Sequence, residues 1–162
     1  MVSSKNTGVA QVYIGVDPGV GGGLAALDGD GCLIDAIRMP ERTLALLAWL
    51  QRHAKGATAL LEFVRSSPQM GRASCFTFGR GYGRLETALD AAGIPFGEIV
   101  PAKWQGIMGC RTGGDKNVTK AFAAARWPGY KVTHAIADAL ILAECCRLLE
   151  ARQRAATVRG FK

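Results

Sequence analysis

An α/β fold, built on a mixed sheet covered by helices, is the class this sequence predicts. Two patterns carry the expectation. Short apolar runs bounded by turn residues fill roughly the first 40 positions. After them, strand-like runs alternate with segments of helical period, giving the order β-β-β-α-β-α-β and then helices to the end. At 162 residues the chain is long enough for one domain with a self-sufficient core.

Taken in order, "VAQVYIGVDPG" reads as a strand ending at a turn, and "GGGLAALDGDGCLIDAIRMP" as two short strands joined by "DGDG". The first three strands therefore form an antiparallel meander. "ERTLALLAWLQRHA" carries Leu44, Leu47, Ala48 and Leu50 at helical spacing, with Gly56 beyond its end. "ATALLEFV" is a buried strand with Glu62 near its end. "SSPQMGRASCFTFGRGYG" reads as a Gly- and Ser-rich loop feeding the helix "GRLETALDAAG". "IPFGEIVP" gives a further strand, and Pro101 opens a short helix, "PAKWQGIMG". Asp115 is the N-cap expected for "KNVTKAFAAARWPG", and "THAIADALILAECCRLLEARQRAA" is the last and longest helix. The division expected is a short flexible N-terminus over 1–10, one domain over 11–155, and a basic tail over 156–162.

Composition narrows the function classes. The N-terminus lacks the apolar core of a signal peptide, and no apolar run reaches the roughly 18 residues of a membrane span, so no membrane partner is expected. Five cysteines without a C-x-x-C pair or a suitably spaced histidine read as reduced, buried thiols rather than a zinc site. Net charge is +7. Arg65, Arg72, Arg80 and Arg84 fall in one stretch without acids, and Lys116, Lys120, Arg126 and Lys131 in another. Blocks of one sign favour a polyanionic partner, although a plain basic surface would also produce them.

Three acids stand in apolar surroundings: Asp17 after "YIGV", Glu62 after "ALL", and Asp138 inside "AIADALILA". A buried carboxylate is costly unless paired, hydrogen-bonded or bound to a cation. Three of them on separate elements suggest convergence on a metal ion. His134 precedes Asp138 by four residues and shares its helix face; it reads equally as a capping or surface residue and as a ligand or acid/base group. Oxygen donors favour Mg²⁺ or Mn²⁺ over zinc. "DPGVGGG" matches neither a Walker loop nor a dinucleotide fingerprint, so no nucleotide cofactor is expected.

"IGVDPG" with Asp17, "LLEFV" with Glu62, and "HAIADALILA" with His134 and Asp138 resemble the motifs of RuvC-type Holliday-junction resolvases, over roughly residues 10 to 150. These belong to the ribonuclease H-like superfamily, whose α/β fold is a five-stranded mixed sheet, three antiparallel strands first, flanked by helices. The resemblance implies that Asp17 bridges two Mg²⁺ ions, with Mn²⁺ as a substitute, and that Glu62 and Asp138 complete the shell. It makes His134 the histidine that some members carry about one turn before the last aspartate. It also matches Lys103 and Lys116 to lysines near the cleaved phosphate. The glycine- and aromatic-rich stretch after Glu62 is closer to chloroplast and phage members than to the usual bacterial pattern.

The implied activity is a metal-dependent endonuclease that resolves four-way DNA junctions by symmetric paired nicks. It would act as a homodimer in the cytoplasm of a bacterium or phage-infected cell, with "TALDAAGI" as one candidate interface. Arg65, Arg72, Arg80, Arg84, Lys103, Lys116 and Lys120 are the candidate phosphate contacts. Phe76, Phe78 and Tyr82 either stack on unpaired bases or anchor the following helix; Tyr82 and the arginines are favoured as the DNA contacts, with Phe76 beside them. The alternatives are a nuclease of the same fold acting on RNA–DNA hybrids, flaps or forks, and a non-catalytic junction-binding protein.

Overall fold

The computed structural model describes residues 10–65 and 69–159. Residues 1–9 and 160–162, part of the expected N-terminus and tail, and 66–68 of the expected loop lie outside them. The strands are β1 (Val12–Asp17), β2 (Gly23–Asp28), β3 (Leu33–Arg38), β4 (Ala57–Glu62) and β5 (Phe96–Ile99). The helices are α1 (Thr43–His53), α2 (Arg72–Ala91), α3 (Pro101–Met108), α4 (Lys116–Arg126) and α5 (His134–Arg159). Strand order is β3-β2-β1-β4-β5. The first three pair antiparallel as a meander; β4 runs parallel to β1, and β5 parallel to β4. This is the five-stranded mixed sheet the sequence predicts.

Side chains alternate across the pleat, and the alternation sorts them into two cores. Ile14, Val16, Leu24, Ala26 and Leu61 meet α1 and α2 through Leu46, Trp49, Leu50, Leu85 and Leu89. Tyr13, Ala25, Leu27 and Leu60 meet α3, α4 and α5 on the opposite face. Gly15 lies on that second face, and α5 crosses it closely: an added Cβ would run into the Ala139 carbonyl and the Ala143 amide. The helix docks where it does because the central strand presents no side chain at that point.

Three expectations change. The stretch from Arg72 to Tyr82 is helical, not a loop, and α2 is 20 residues long. Phe78, Tyr82, Leu85 and Leu89 recur at helical spacing and pack toward the α1–α2 core, which outweighs Gly79, Gly81 and Gly83. Helix α1 buries Leu46, Trp49 and Leu50, whereas Leu44 is 70% exposed; Trp49 sets the face because it is the largest apolar group and its indole donates to Asp35. Ala88, Leu89 and Ile94 of the candidate dimer segment are buried in the chain's own core, so they are not free to form an interface. Of the five cysteines, Cys110, Cys145 and Cys146 are buried free thiols, Cys75 is half-buried, and Cys32 is exposed on the β2–β3 turn. Among the described residues no helix is long and apolar enough to cross a membrane. Helix α5 continues through 156–159, into the stretch expected as a tail.

Candidate active site

Asp17 ends β1 and Glu62 ends β4. The parallel register pairs Val16 with Leu61, so these acids are neighbours at adjacent strand ends. Two-residue periodicity puts Asp17 on the face of Tyr13 and Gly15, and Glu62 on the face of Leu60. That is the face α5 covers. Asp138, beside Ala139 at the Gly15 crossing, is in the second turn of α5 and therefore reaches the same corner. The three acids form one electrostatic group with Lys116, the first residue of α4.

The cost of that grouping falls on Asp17. Burial first, then the charges of Glu62 and Asp138, raise its pKa from 3.8 to about 8, and Lys116 offsets only part of this. Asp17 thus keeps a proton at neutral pH and hydrogen-bonds Glu62. Burial also raises Glu62, opposed by the Trp104 indole, which donates to Glu62 Oε1 at 2.8 Å. Asp138 Oδ1 is buried without a hydrogen-bond partner. An added Cβ at Gly22 would meet the Asp17 backbone and carboxyl carbon, so a glycine there keeps room around the carboxylate. Gly19, at φ 108°, turns the chain away after Asp17 and Pro18.

Among the described residues, no three acidic, histidine or cysteine side chains are drawn tightly enough together to ligate one ion as they stand. The donor chemistry nevertheless suits a hard divalent cation. It comprises three carboxylates, one orphaned carboxylate oxygen, and one proton held where charge repulsion demands a cation.

His134 is exposed and its Nε2 lies 3.2 Å from Asn117 Oδ1, which ties the start of α5 to the start of α4. Lys103 is exposed on α3, and Lys120 follows Lys116 by one turn of α4. Asp115 caps α4 as expected, accepting from the Asn117 amide at 2.9 Å.

The basic and aromatic candidates divide by exposure. Phe76 is 68% exposed, with the Arg80 guanidinium 5.8 Å from its ring centre. Arg65 and Arg72 are also exposed, Arg65 lying over Phe63. Tyr82 instead packs between Phe63 and Phe78 and donates to Glu98 Oε1 at 2.6 Å. Arg84 donates to the Pro40 and Glu41 carbonyls, anchoring α2 to the β3–α1 connection. A cavity of about 870 Å³ opens beside the Asp17 turn, bordered by Val20, Met39, Met70, Phe78 and Arg80.

Trp104, Asn117 and Gly15 escape sequence reasoning. An indole beside Lys103 gives no sign of which acid it will meet, and the Asn117–His134 link spans two helices. Gly15 had a signal: a lone glycine inside an apolar strand marks close approach of another element.

Compared with known proteins, the chain matches no protein-family model and no curated protein sequence. Solved structures do match. The structure of T. thermophilus RuvC in complex with a Holliday junction substrate aligns with a TM-score of 0.67 at 18% identity, covering 88% of this chain and 96% of that one. A second Thermus thermophilus RuvC structure aligns at 0.63 and 17% identity, with the same coverage. The chain therefore has the RuvC-type, ribonuclease H-like fold.

Proposed function

We propose that the chain is a metal-dependent, structure-selective DNA endonuclease that resolves four-way junctions by paired nicks. The observation that carries this reading is the grouping of Asp17, Glu62 and Asp138 with Lys116 at one corner of a RuvC-type sheet. A relative of the same fold holding a Holliday junction substrate supports four-way DNA as the substrate class.

Asp17, Glu62 and Asp138 would hold the Mg²⁺ ions, two of them in this reading. Bound there, the ions would activate the attacking water and stabilise the leaving 3′-oxygen. Lys116 faces the carboxylates and neutralises charge on the scissile phosphate; exposed Lys103 contacts the same strand. His134, held by Asn117 rather than by a carboxylate, is assigned to proton transfer at the mouth of the site and not to the metal shell. Arg65, Arg72, Arg80 and Lys120 supply phosphate contacts, and Phe76 a stacking surface. The nuclease domain spans 11–155. Pairing of the nicks would come from a two-fold homodimer that presents two sites to equivalent strands.

The test is cleavage of a mobile four-way junction with Mg²⁺, mapped on all four strands. Symmetric nicks on opposed strands are expected. Cutting confined to RNA–DNA hybrids, or binding without cutting, would replace this reading.

A further inference from the structure

The chain has three tryptophans, all buried, and each directs its indole N–H at an oxygen. Trp49 donates to Asp35 Oδ2 at 2.7 Å, and Trp127 to the Gly31 carbonyl at 3.1 Å. Trp104 donates to Glu62 Oε1 at 2.8 Å. Only the last acceptor belongs to the candidate active site.

Trp104 is fully buried, in the core that holds Leu60, Ile99, Cys110 and the inner face of α5. Its ring cannot swing without displacing that packing. One Glu62 oxygen is therefore fixed against the core, while the Glu62 carboxylate also bonds Asp17. A neutral donor suits this position. It satisfies one lone pair of a buried carboxylate without supplying the positive charge that a cation brings. Lysine or arginine in its place would occupy the carboxylate's charge as well as its geometry.

We infer that Trp104 is a positioning residue: its indole N–H orients the Glu62 carboxylate toward Asp17 and so sets the affinity of the site for divalent cations. This rests on the metal-dependent reading above. On helix α3 the neighbours divide, with Lys103 exposed to solvent and Trp104 turned inward to the carboxylate. Outer-shell donors of this kind are typically worth about 10- to 100-fold in metal affinity.

The experiment is Mn²⁺ binding by calorimetry, without DNA, to the native protein, Trp104→Phe and Trp49→Phe. Trp49→Phe is the control: it removes a part-buried indole–carboxylate bond in the core on the opposite face of the sheet. Affinity should fall about tenfold or more in Trp104→Phe and stay within about twofold in Trp49→Phe. A role in packing alone would lower the melting temperature of both and leave Mn²⁺ affinity intact in both, which would overturn the inference. Failure of the native protein to bind Mn²⁺ would instead remove the metal reading itself. A second measurement needs no variant. In a Mg²⁺ titration followed by indole ¹H–¹⁵N signals assigned through the backbone, the Trp104 signal should move while those of Trp49 and Trp127 stay. Three unmoved indoles, with Mg²⁺ bound by calorimetry, would overturn the inference even if Trp104→Phe failed to fold.

Discussion

Replacing Asp17 by Asn probes the carboxylate group directly, because Asn can still donate to Glu62 but never ionises. With a folded-state pKa of about 8 against an ordinary 3.8, the native protein binds one more proton than the unfolded chain between those values. Stability of the metal-free protein therefore falls as pH rises through that window and levels off above about 8. At about 1.4 kcal/mol per pH unit the full gap sets a ceiling of about 5–6 kcal/mol. Asp17 is only half-buried and shares its proton with Glu62, so about 2–4 kcal/mol is the reasoned figure. For a domain of this size that corresponds to about 4–16 °C in melting temperature. The assay is thermal unfolding in EDTA at pH 6 and pH 8.5. Asp17→Asn should lie above the native protein at pH 8.5, and about half of that gap should close at pH 6, which stands about midway between 3.8 and 8. Mg²⁺ should raise the melting temperature of the native protein, more at pH 8.5 than at pH 6, and leave Asp17→Asn unmoved. Parallel pH profiles for the two proteins, with no Mg²⁺ effect on either, would refute the electrostatic account of the site.

Glu62→Gln should abolish nicking of a four-way junction while changing junction affinity in a gel-shift assay by less than about threefold, since a neutral amide neither holds a cation nor repels phosphate. His134→Ala should slow single-turnover nicking about 10²-fold yet leave Mn²⁺ affinity unchanged in calorimetry, as expected for a proton carrier tied to Asn117. Phe76→Ala should cost about 1–3 kcal/mol of junction affinity with little change in melting temperature. Tyr82→Phe should do the reverse, losing about 1 kcal/mol of stability with the Glu98 hydrogen bond and little affinity. Gly15→Ala should destabilise by about 3 kcal/mol or more, read as loss of soluble protein or of the cooperative transition, because α5 leaves no room for a methyl group on β1.

The sequence by itself determined the order of the strands, the opening meander, and three acids standing in apolar surroundings. Those acids were legible because a carboxylate directly after "YIGV" or "ALL", or inside "AIADALILA", violates the burial rule that its neighbours obey. Period-two and period-3.6 patterns then follow from each residue's own direction, a local property. What remained hidden depends on contacts between elements distant in sequence. Glycines at 79, 81 and 83 lower helix propensity locally, and only packing toward the α1–α2 core makes α2 continuous. Leu44 and Leu46 are chemically alike, and the choice of which to bury was made by Trp49 and the sheet beneath α1. The same holds at the site. Asp17, Glu62 and Asp138 could each be suspected alone, but the parallel β1–β4 register and the docking of α5 on Gly15 bring them to one corner. The His134 ring bonds Asn117, 17 positions away, a link between two helices that spacing along the chain does not disclose. Trp104 reaches Glu62 across 42 positions, a distance that only the folded sheet and α3 close.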